Sequence, residues 1–312
     1  MPTILNGRWI ARQIRHELHT QLAARRDPNY HGPTVPPCLA VVLCTDDPAS
    51  KLYVKKKVQA CDEVGITSLL VEPFQGGIGR WPEPQEHLYK LIEWLNSDSN
   101  INGILVQLPL PPGINPTEIF DRIDPLKDVD VFNPVNVGLL LQGRPRFVPC
   151  TPHAVQELLT RSGIDIAGKK VVIINRSDIV GKPLQALLIQ DQEEANATVT
   201  LCHDRTPPER LKEVCLSADI IVVAVGKPRF LTADMVRPQS IVVDVGINRD
   251  GDRVVGDVCP EAFAKVAAVS PVPNGVGPLT VTMLLHNTVV AQQLQWEVTT
   301  GRVVSGFLSL AR

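Results

Sequence analysis

Short hydrophobic runs alternate with longer stretches of helical periodicity along most of the chain. The β-branched run at 171–174 is typical of a strand covered on both faces, and a polar loop and a helical segment opened by Gly181 and Pro183 follow it. This alternation predicts βαβ units and a parallel sheet, and therefore an α/β fold. The other runs that we predict as strands lie at 38–44, 66–71, 103–106, 197–202, 219–225 and 241–245.

Helices are predicted where apolar residues recur every three or four positions. Ile10, Ile14 and Leu18 form such a stripe, which favours a folded amphipathic helix over a transit peptide. The stretch 124–143 is rich in Asp, Asn, Pro and Gly, so we predict irregular structure there. The remaining predicted helices lie at 50–64, 83–95 and about 278–295.

Composition narrows the class of protein. A length of 312 residues favours two domains, and a net charge of −2 gives no reason to expect binding to nucleic acid or to an anionic membrane. No apolar run reaches the roughly 18–20 residues of a membrane span. Seven cysteines, an odd number without C-x-x-C spacing, predict a reduced cytoplasmic protein rather than a disulfide scaffold or a zinc site.

A domain boundary is predicted near residue 150. Thr151 is interpreted as the N-cap of a new helix, with Pro152 at its first position. From there on, strands and helices recur with the spacing of a doubly wound nucleotide-binding domain.

Three strand ends in this second half have features of a nucleotide site. The loop at 175–178 lies between a strand and a helix start, where free backbone N–H groups suit a phosphate, although the full G-x-G-x-x-G fingerprint is absent. Gly226 and Gly246 follow the predicted strands 219–225 and 241–245, where the missing side chain would let a ligand approach the backbone. Together these ends predict a nucleotide cofactor.

Candidate catalytic residues lie in the first half. Ser50, Tyr53 and Lys57 are spaced to share one helix face, a spacing that a solvated helix face with several lysines also produces. Gln107 ends a predicted strand, where α/β proteins place ligand contacts. Asp128 and Asp130 are two acids that could form a metal pair, but no His or Cys cluster accompanies them, so no metal site is predicted.

Eight short motifs follow one another along the chain: Ser50-x-x-Tyr53-x-x-x-Lys57, Gly103-Ile-Leu-Val-Gln107-Leu-Pro109, Pro125-x-Lys127-Asp128-Val129-Asp130, Pro149-Cys150-Thr151-Pro152, Arg176-Ser177-x-Ile179-Val180-Gly181-Lys182-Pro183, Asp244-Val-Gly246-Ile-Asn248, Val255-Gly256-Asp257-Val258 and Pro271-Val-Pro273-Asn274-Gly275-Val-Gly277-Pro278. Each motif alone is weak, but the ordered set is specific. In this order the motifs resemble the bifunctional methylenetetrahydrofolate dehydrogenase/cyclohydrolase family over nearly the whole chain.

The resemblance implies an architecture. It implies a folate-binding catalytic domain of βα units over 1–150, completed by the C-terminal helix at about 278–312. It also implies a Rossmann-like, doubly wound NAD(P)-binding domain over 151–277, a folate cleft between the two domains, and a homodimer built through the nucleotide-binding domains.

The same resemblance implies a reaction of one-carbon metabolism. NAD(P)⁺ oxidises 5,10-methylenetetrahydrofolate to the methenyl form, which is then hydrolysed to 10-formyltetrahydrofolate. Tetrahydrofolate derivatives are thus the expected small-molecule partners. A monofunctional dehydrogenase and a non-catalytic nucleotide-sensing homologue remain as alternatives.

The resemblance also implies residue roles. Lys57 is expected to be the proton shuttle of hydrolysis, with Gln107 tuning it, Tyr53 packing on the folate ring system and Asp130 accepting hydrogen bonds from the pterin. Further substrate contacts are expected from Ser50, Val106, Leu108, Pro109, Pro273 and Gly275. The cofactor is expected to contact Asn175, Arg176, Ser177, Ile179, Asp204, Arg205, Val225, Gly226, Gly246, Ile247 and Thr280.

Three positions depart from the family pattern, which usually has Gly at each: Val131, Asn175 and Asn274. We expect Val131 to change the backbone freedom beside Asp130, because it is β-branched. We expect Asn175 to replace Gly at a positive φ, which Asn tolerates best among other residues.

Cofactor choice depends on the end of the second nucleotide-domain strand. An acid there, Asp204, typically binds a ribose 2′-hydroxyl and repels a 2′-phosphate, which favours NAD. Arg176 and Arg205 have the opposite effect, because guanidinium groups match phosphate. We expect NADP, with NAD left open by Asp204.

Overall fold

The computed structural model describes residues 1–251 and 253–302. The chain forms two compact units. We call the first, Ile14–Gly138 with the residues from Leu284 onward, the small-sheet unit, and the second, Met1–Gln13 with Leu139–Met283, the large-sheet unit.

The helices and strands alternate as predicted. The strands are β1 (Thr3–Ile4), β2 (Cys38–Leu43), β3 (Thr67–Val71), β4 (Gly103–Gln107), β5 (Lys170–Ile174), β6 (Thr198–Cys202), β7 (Ile220–Val223), β8 (Ile241–Asp244), β9 (Asn248–Asp250), β10 (Arg253–Val255) and β11 (Ala268–Val269). The α-helices are α1 (Gly7–Ala24), α2 (Pro48–Val64), α3 (Pro84–Ser97), α4 (Pro116–Arg122), α5 (Pro134–Leu141), α6 (Cys150–Arg161), α7 (Gly181–Leu188), α8 (Pro208–Ser217), α9 (Pro260–Lys265) and α10 (Val276–Thr300).

The small-sheet unit contains a parallel three-stranded sheet in the order β3-β2-β4. The central strand β2 is buried on both faces, which explains its continuous hydrophobic run. Leu88, Ile92 and Leu95 of α3 recur at helical spacing and are completely buried in the adjoining core. Gln107 ends β4 opposite Leu43 of β2, so the sheet presents it at its carboxyl edge.

The start and end of α2 follow from local chemistry. Asp47 caps the helix by accepting a hydrogen bond from the backbone N–H of Ser50, and Pro48 occupies the first turn. Gly65 ends the helix with a left-handed φ of 91°. This helix carries Tyr53 and Lys57.

The large-sheet unit contains a parallel six-stranded sheet in the order β1-β11-β8-β7-β5-β6, and β10 pairs with β9 in an antiparallel hairpin. Starting from β5, the chain adds β6 on one side and then β7, β8 and β11 on the other. The strand order therefore reverses between β5 and β7, and ligands bind α/β sheets at the carboxyl ends of such a switch point. The predicted doubly wound α/β fold is confirmed.

The boundaries of the two compact units differ from the boundaries that we predicted for the two domains. The predicted first domain included residues 1–13 and 139–150, which belong to the large-sheet unit. For the N-terminal residues the cause is β1, which pairs in parallel with β11; the backbone N–H groups of Thr3 and Leu5 donate to Ala267 and Val269. The residues 303–312, to which the predicted final helix extended, lie outside the described part of the chain.

Two local predictions were wrong. Helix α6 begins at Cys150 with Pro149 in the cap position, so Thr151 is already helical and is not the N-cap. The stretch 124–143, predicted as irregular, contains α5. Its apolar sequence PVNVGLLL forms two helical turns although Asp, Asn and Pro precede it.

Over residues 1–251 and 253–302, no helix has both the length and the apolar character of a membrane span. None of the seven cysteines, all of which lie in the described ranges, forms a disulfide bond, and six of them are buried.

Candidate active site

Lys57 and Gln107 are in direct contact. The Lys57 Nζ donates a hydrogen bond of 2.9 Å to the Gln107 Oε1. The Gln107 Nε2 in turn donates to the backbone carbonyl of Leu108 at 2.7 Å. A carbonyl oxygen can only accept hydrogen bonds, so it faces the NH₂ group of Gln107. The amide oxygen of Gln107 is therefore directed toward the Lys57 amine. The amine of Lys57 is thereby held by an uncharged acceptor at the end of β4.

Tyr53 lies one helical turn before Lys57 on α2. Its side chain is 38% exposed, and the Lys56 Nζ lies 5.8 Å from the centre of its ring. An exposed ring one helical turn from Lys57 is a suitable surface for stacking a flat heterocycle.

Ser50 has a structural role in the same helix. Its backbone N–H and its hydroxyl both donate to the Asp47 Oδ2, at 2.8 Å and 2.9 Å, and the residue is buried. The hydroxyl proton is therefore used in the helix cap. A substrate contact by Ser50 stays a prediction and would use its oxygen as an acceptor.

Asp128 is a buried carboxylate that organises the loop around Asp130. Its Oδ1 accepts the backbone N–H groups of Val131 and Phe132, each at 3.1 Å. Its Oδ2 accepts the N–H of Asn133 and the Nδ2 of Asn136, each at 2.9 Å. Burial raises the pKa of Asp128, and these hydrogen bonds oppose the increase. We call Asp128 with these four donors the Asp128 cluster.

Val131, next to Asp130, adopts a φ of +66° and is almost completely buried. Left-handed backbone is unfavourable for a β-branched residue, so the Asp128 cluster holds this residue in a strained conformation. Asp130 is half-buried in the same turn. Its predicted contact with the pterin stays a prediction.

Lys127, in the same motif, is also structural. Its Nζ donates to the carbonyl groups of Leu95, Asn96 and Asp98 at 2.7–3.0 Å, which satisfies the C-terminal end of α3. Burial lowers the pKa of this lysine. The first two residues of the K-D-V-D motif therefore build the loop that presents the fourth.

The other predicted substrate residues occupy different environments. The side chain of Val106 is buried in the core of the small-sheet unit, whereas Leu108 is half-buried and Pro109 exposed. Pro273 is exposed and Gly275 is buried, both in the large-sheet unit. For these residues, contact with a substrate stays a prediction.

Asn175 shapes the loop after β5, but not in the way that we predicted. It is not among the residues with a positive φ, so the interpretation that it replaces a left-handed glycine was wrong. Instead, its Oδ1 accepts hydrogen bonds from the N–H and hydroxyl of Ser177 and from the N–H of Gly181, at 2.7–2.9 Å. Its Nδ2 donates to the carbonyl of Ala224 after β7. One side chain thus ties together the two strand ends of the switch point.

Arg176 and Asp204 form an ion pair between the ends of β5 and β6. Arg205 approaches the same carboxylate, with its Nε 3.5 Å from the Asp204 Oδ2. The side chains of Arg176 and Asp204 are 49% and 60% exposed. The two groups that we interpreted as opposing influences on cofactor choice are therefore partners.

The loop after β7 presents Val225 and Gly226, and Gly226 has a φ of +65° with open space where a side chain would start. This accessible backbone fits a cofactor at the switch point. Gly246 after β8 is different, because a Cβ there would lie 2.2 Å from the carboxyl carbon of Asp257. Gly246 is therefore needed for internal packing, and not only for ligand approach.

The remaining predicted cofactor residues lie in the same unit. Ile179 and Ile247 are exposed hydrophobic side chains that follow β5 and β8. Thr280 lies one turn after the start of α10, where its hydroxyl donates to the carbonyl of Val276 at 3.4 Å. Their contacts with a cofactor stay predictions.

Asp128 and Asp257 are the residues whose importance our sequence reasoning missed. Asp128 was considered only as half of a metal pair and as part of a motif, and Asp257 only as part of a motif. At Asp257 the available signal was the preceding Gly256, which is compatible with a carboxylate that accepts backbone N–H groups. Asp128 stands between Lys127 and Val129, and no such signal marks it. In the described ranges, no group of three or more His, Cys, Asp or Glu side chains is arranged to hold a metal ion.

Two family models match the chain. The model described as tetrahydrofolate dehydrogenase/cyclohydrolase, catalytic domain, matches residues 5–130. The model described as tetrahydrofolate dehydrogenase/cyclohydrolase, NAD(P)-binding domain, matches residues 149–296.

Individual proteins match over almost their whole length. The bifunctional protein FolD of Rhodopirellula baltica is 49% identical, covering 94% of this chain and 98% of the relative. The crystal structure of the bifunctional FolD enzyme of Campylobacter jejuni has a TM-score of 0.85 and 42% identity, covering 94% and 99% of the two chains. The FolD enzyme of Trypanosoma brucei, solved in complex with NADP cofactor and inhibitor, has a TM-score of 0.85 and 35% identity, covering 97% and 99%.

Proposed function

Since the chain belongs to the tetrahydrofolate dehydrogenase/cyclohydrolase family, we propose that it oxidises 5,10-methylenetetrahydrofolate with NADP⁺ and hydrolyses the methenyl product to 10-formyltetrahydrofolate. The observation that supports the second activity is the hydrogen bond from Lys57 to Gln107, with the exposed ring of Tyr53 one turn earlier on the same helix. A positioned amine beside a stacking surface is what proton transfer on a bound pteridine requires.

In the hydrolysis, water adds to the methenyl carbon and Lys57 accepts the proton that the water loses. The resulting ammonium group returns this proton to the departing ring nitrogen as the carbon–nitrogen bond breaks. The hydroxyl group of the adduct loses its proton to solvent water as the formyl carbonyl forms, so the reaction releases one proton overall. Gln107 keeps the amine directed at the substrate in both steps, because its oxygen accepts a hydrogen bond from either protonation state. Tyr53 would hold the ring system, and the Asp130 carboxylate would accept hydrogen bonds from the pterin amine and ring N–H.

For the oxidation, the protein's contribution is mainly positioning. When bound, the nicotinamide accepts a hydride from the one-carbon bridge of the folate. The residues that would hold the cofactor are the Asn175–Ser177 loop, the backbone at Val225–Gly226, and Ile247. The loop geometry at the β5/β7 switch point and the open backbone at Gly226 are compatible with such a group.

NADP is the proposed cofactor because two guanidinium groups, Arg176 and Arg205, already lie around one anion, Asp204. A 2′-phosphate would offer them a second anion of greater charge. The NADP complex of the Trypanosoma brucei relative supports the same choice.

The alternatives are less well supported. A monofunctional dehydrogenase would not need the Lys57–Gln107 pair, which is formed. A nucleotide sensor without catalysis was suggested by Val131 and Asn175, but Asn175 builds the cofactor loop rather than distorting it. We further propose a cytoplasmic homodimer; cysteines that form no disulfide bond are compatible with a reducing compartment.

An absorbance assay with 5,10-methylenetetrahydrofolate and either NADP⁺ or NAD⁺ tests the proposal. We expect cofactor reduction with only transient methenyl absorbance. Lasting accumulation of the methenyl compound would indicate a monofunctional dehydrogenase, and absence of cofactor reduction would contradict the proposed function.

Lys57→Ala is expected to slow methenyl hydrolysis at least about 100-fold, because the proton shuttle is lost. The matched control is Lys55→Ala, an exposed lysine on the same helix. Circular dichroism checks that both variants keep the fold. Unchanged hydrolysis in a folded Lys57→Ala protein would refute the shuttle role.

A further inference from the structure

The motif Val255-Gly256-Asp257-Val258 has no role in the reaction described above, yet its acid is completely buried. The Asp257 Oδ2 accepts hydrogen bonds from the backbone N–H groups of Val225 and Gly226, at 2.6 Å and 3.0 Å. Its Oδ1 accepts the N–H of Lys227 at 2.9 Å and the Nδ2 of Asn248 at 2.8 Å. We call Asp257 with these four donors the Asp257 cluster.

The three backbone donors are consecutive residues of the loop after β7. Such a run of N–H groups forms a concave anion-binding site, and here an internal carboxylate fills it. Gly226 and Lys227 are exposed on their outer side. The loop is therefore accessible to a ligand from outside while the carboxylate fixes it from inside.

A second buried carboxylate holds the first in place. Asp244, at the end of β8, accepts hydrogen bonds from the N–H groups of Gly246, Asp257 and Val258, each at 3.0 Å. The two carboxylates link the loop after β7 to the loop after β8 through the segment that follows β10. Both of these loops belong to the proposed cofactor site.

Two glycines make this arrangement possible. A Cβ at Gly246 would lie 2.2–2.6 Å from the carboxyl atoms of Asp257, and one at Gly256 would lie 1.9 Å from the Asp244 Oδ2. Real Cβ atoms do not approach other heavy atoms so closely. Each carboxylate thus lies directly against a glycine, and neither could be moved outward without displacing a loop.

We propose that Asp257 is a positioning residue for the dinucleotide: it fixes the backbone at 225–227 in the conformation that the cofactor contacts, without touching the cofactor. This inference rests on the proposed function in that the ligand is NADP(H). Only a carboxylate meets the geometry, because both of its oxygens face two donors each. In an asparagine, whichever way its amide turned, one NH₂ group would face two donors.

The test uses Asp257→Asn in the full chain, with binding of NADPH measured by fluorescence titration. We expect the Kd to rise about tenfold or more, because charged hydrogen bonds to the loop are lost. Backbone amide exchange at Val225, Gly226 and Lys227 should become faster in the same variant. Hydrolysis of methenyltetrahydrofolate without cofactor should be unchanged, since Lys57 and Gln107 lie in the other compact unit.

The matched control is Asp250→Asn. Asp250 is an exposed acid of the neighbouring β9–β10 hairpin, and its Oδ2 lies 3.7 Å from the Nη2 of Arg229. Its replacement should change neither the Kd nor the amide exchange. An unchanged NADPH Kd in Asp257→Asn, with its loop amides exchanging faster, would overturn the proposal.

Amide exchange in the wild type tests whether Asp257 fixes the loop, even if Asp257→Asn does not fold. The amides of Gly226 and Lys227 should exchange slowly despite the exposure of these residues, and exchange at the rate of an open loop would overturn the proposal. Failure of the proposed function is distinguishable, because a wild type that binds NADPH but reduces no cofactor would still allow the binding test.

Discussion

The Asp128 cluster and the Asp257 cluster are built alike in two different compact units. In each, one carboxylate oxygen accepts two consecutive backbone N–H groups, and the other accepts the third N–H and an asparagine side-chain amide. One cluster holds the loop of Asp130, which we propose to bind the pterin. The other holds the loop that we propose to bind the dinucleotide.

The clusters differ in the separation of their partners along the chain. Asp128 binds N–H groups three to five residues ahead of it, whereas Asp257 binds N–H groups 30–32 residues behind it. The first cluster can therefore form within one short segment, like the Asx turns that aspartate makes in peptides. The second requires β7, β8 and the β9–β10 hairpin to be in place.

The comparison indicates why a buried acid serves both loops. Loops that bind ligands expose backbone groups and have few apolar contacts to hold them. An acceptor with two oxygens fixes several consecutive N–H groups at once and leaves the outer surface of the loop open. The burial of each carboxylate is expensive, so these hydrogen bonds are needed to offset it.

Asp128→Asn gives the largest expected effect. Its amide nitrogen would face two donors, which costs about 2–6 kcal/mol of stability at about 1–3 kcal/mol for each unsatisfied group. We expect kcat/KM for the folate substrate to fall at least about tenfold, while the NADPH Kd stays unchanged, the reverse of Asp257→Asn. Urea unfolding and steady-state kinetics measure both, with the exposed Asp121→Asn as control. A parallel loss of NADPH binding would contradict the independence of the two clusters.

Asp244 provides a pH test of the large-sheet unit. Burial, together with the nearby Asp257, raises the pKa of Asp244 to about 6, from about 3.8 in the unfolded chain. Between these values the folded protein keeps a proton that the unfolded chain has lost, so stability falls as the pH rises through this window, by about 3 kcal/mol in total. Asp244→Asn lacks this titration.

We therefore compare the free energies of unfolding of wild type and Asp244→Asn by urea titration from pH 4 to pH 8. The wild type should lose stability relative to the variant up to about pH 6–6.5, and the difference should then be constant. A constant difference over the whole range would show that Asp244 does not titrate in this way.

The backbone strain at Val131 can be measured by comparing a glycine substitution there with the same substitution at Val129. Both valines are buried and flank Asp130, but only Val131 has a positive φ. We expect Val129→Gly to lower the free energy of unfolding by about 3–4 kcal/mol. Val131→Gly should cost about 1–2 kcal/mol less, because glycine relieves the left-handed strain. Equal losses in urea unfolding would show that the Asp128 cluster stores no strain there.

The sequence pattern predicted the parallel strands well, because strands buried on both faces leave an unbroken hydrophobic run. Strands β5 and β8 begin at or within one residue of the predicted positions. Strand β1 and strands β9–β11 were missed, because two or three residues are too few to show a period. Their positions depend on pairing with distant strands, as β1 depends on β11.

The candidate site was predictable only where it resembles a known family. The spacing of Ser50, Tyr53 and Lys57 is equally typical of a solvated helix face, and nothing in it predicts the contact with Gln107, 50 residues away. At Asn175 the residue type led to a wrong prediction. We expected a positive φ, but the residue acts through the hydrogen bonds of its side chain. Partners 30 or more residues apart, as in the Asp257 cluster, leave no local pattern at all.

The exposed ion pair at Arg176 contrasts with the two buried clusters and gives the smallest expected effect. Asp204 and Arg176 are about half exposed, so their pairing contributes at most about 1 kcal/mol. Asp204→Asn would release both Arg176 and Arg205 for a 2′-phosphate, and would also remove a carboxylate that repels it. We expect the ratio of kcat/KM for NADP⁺ over NAD⁺ to rise by up to about fivefold, with little change in stability. The control is Asp178→Asn, which removes an exposed acid paired with Lys182 in the same loop and should leave the ratio unchanged. A fall in the ratio would show that Asp204 holds Arg176 in the conformation that NADP requires, which would make this exposed pair a positioning device like the buried clusters.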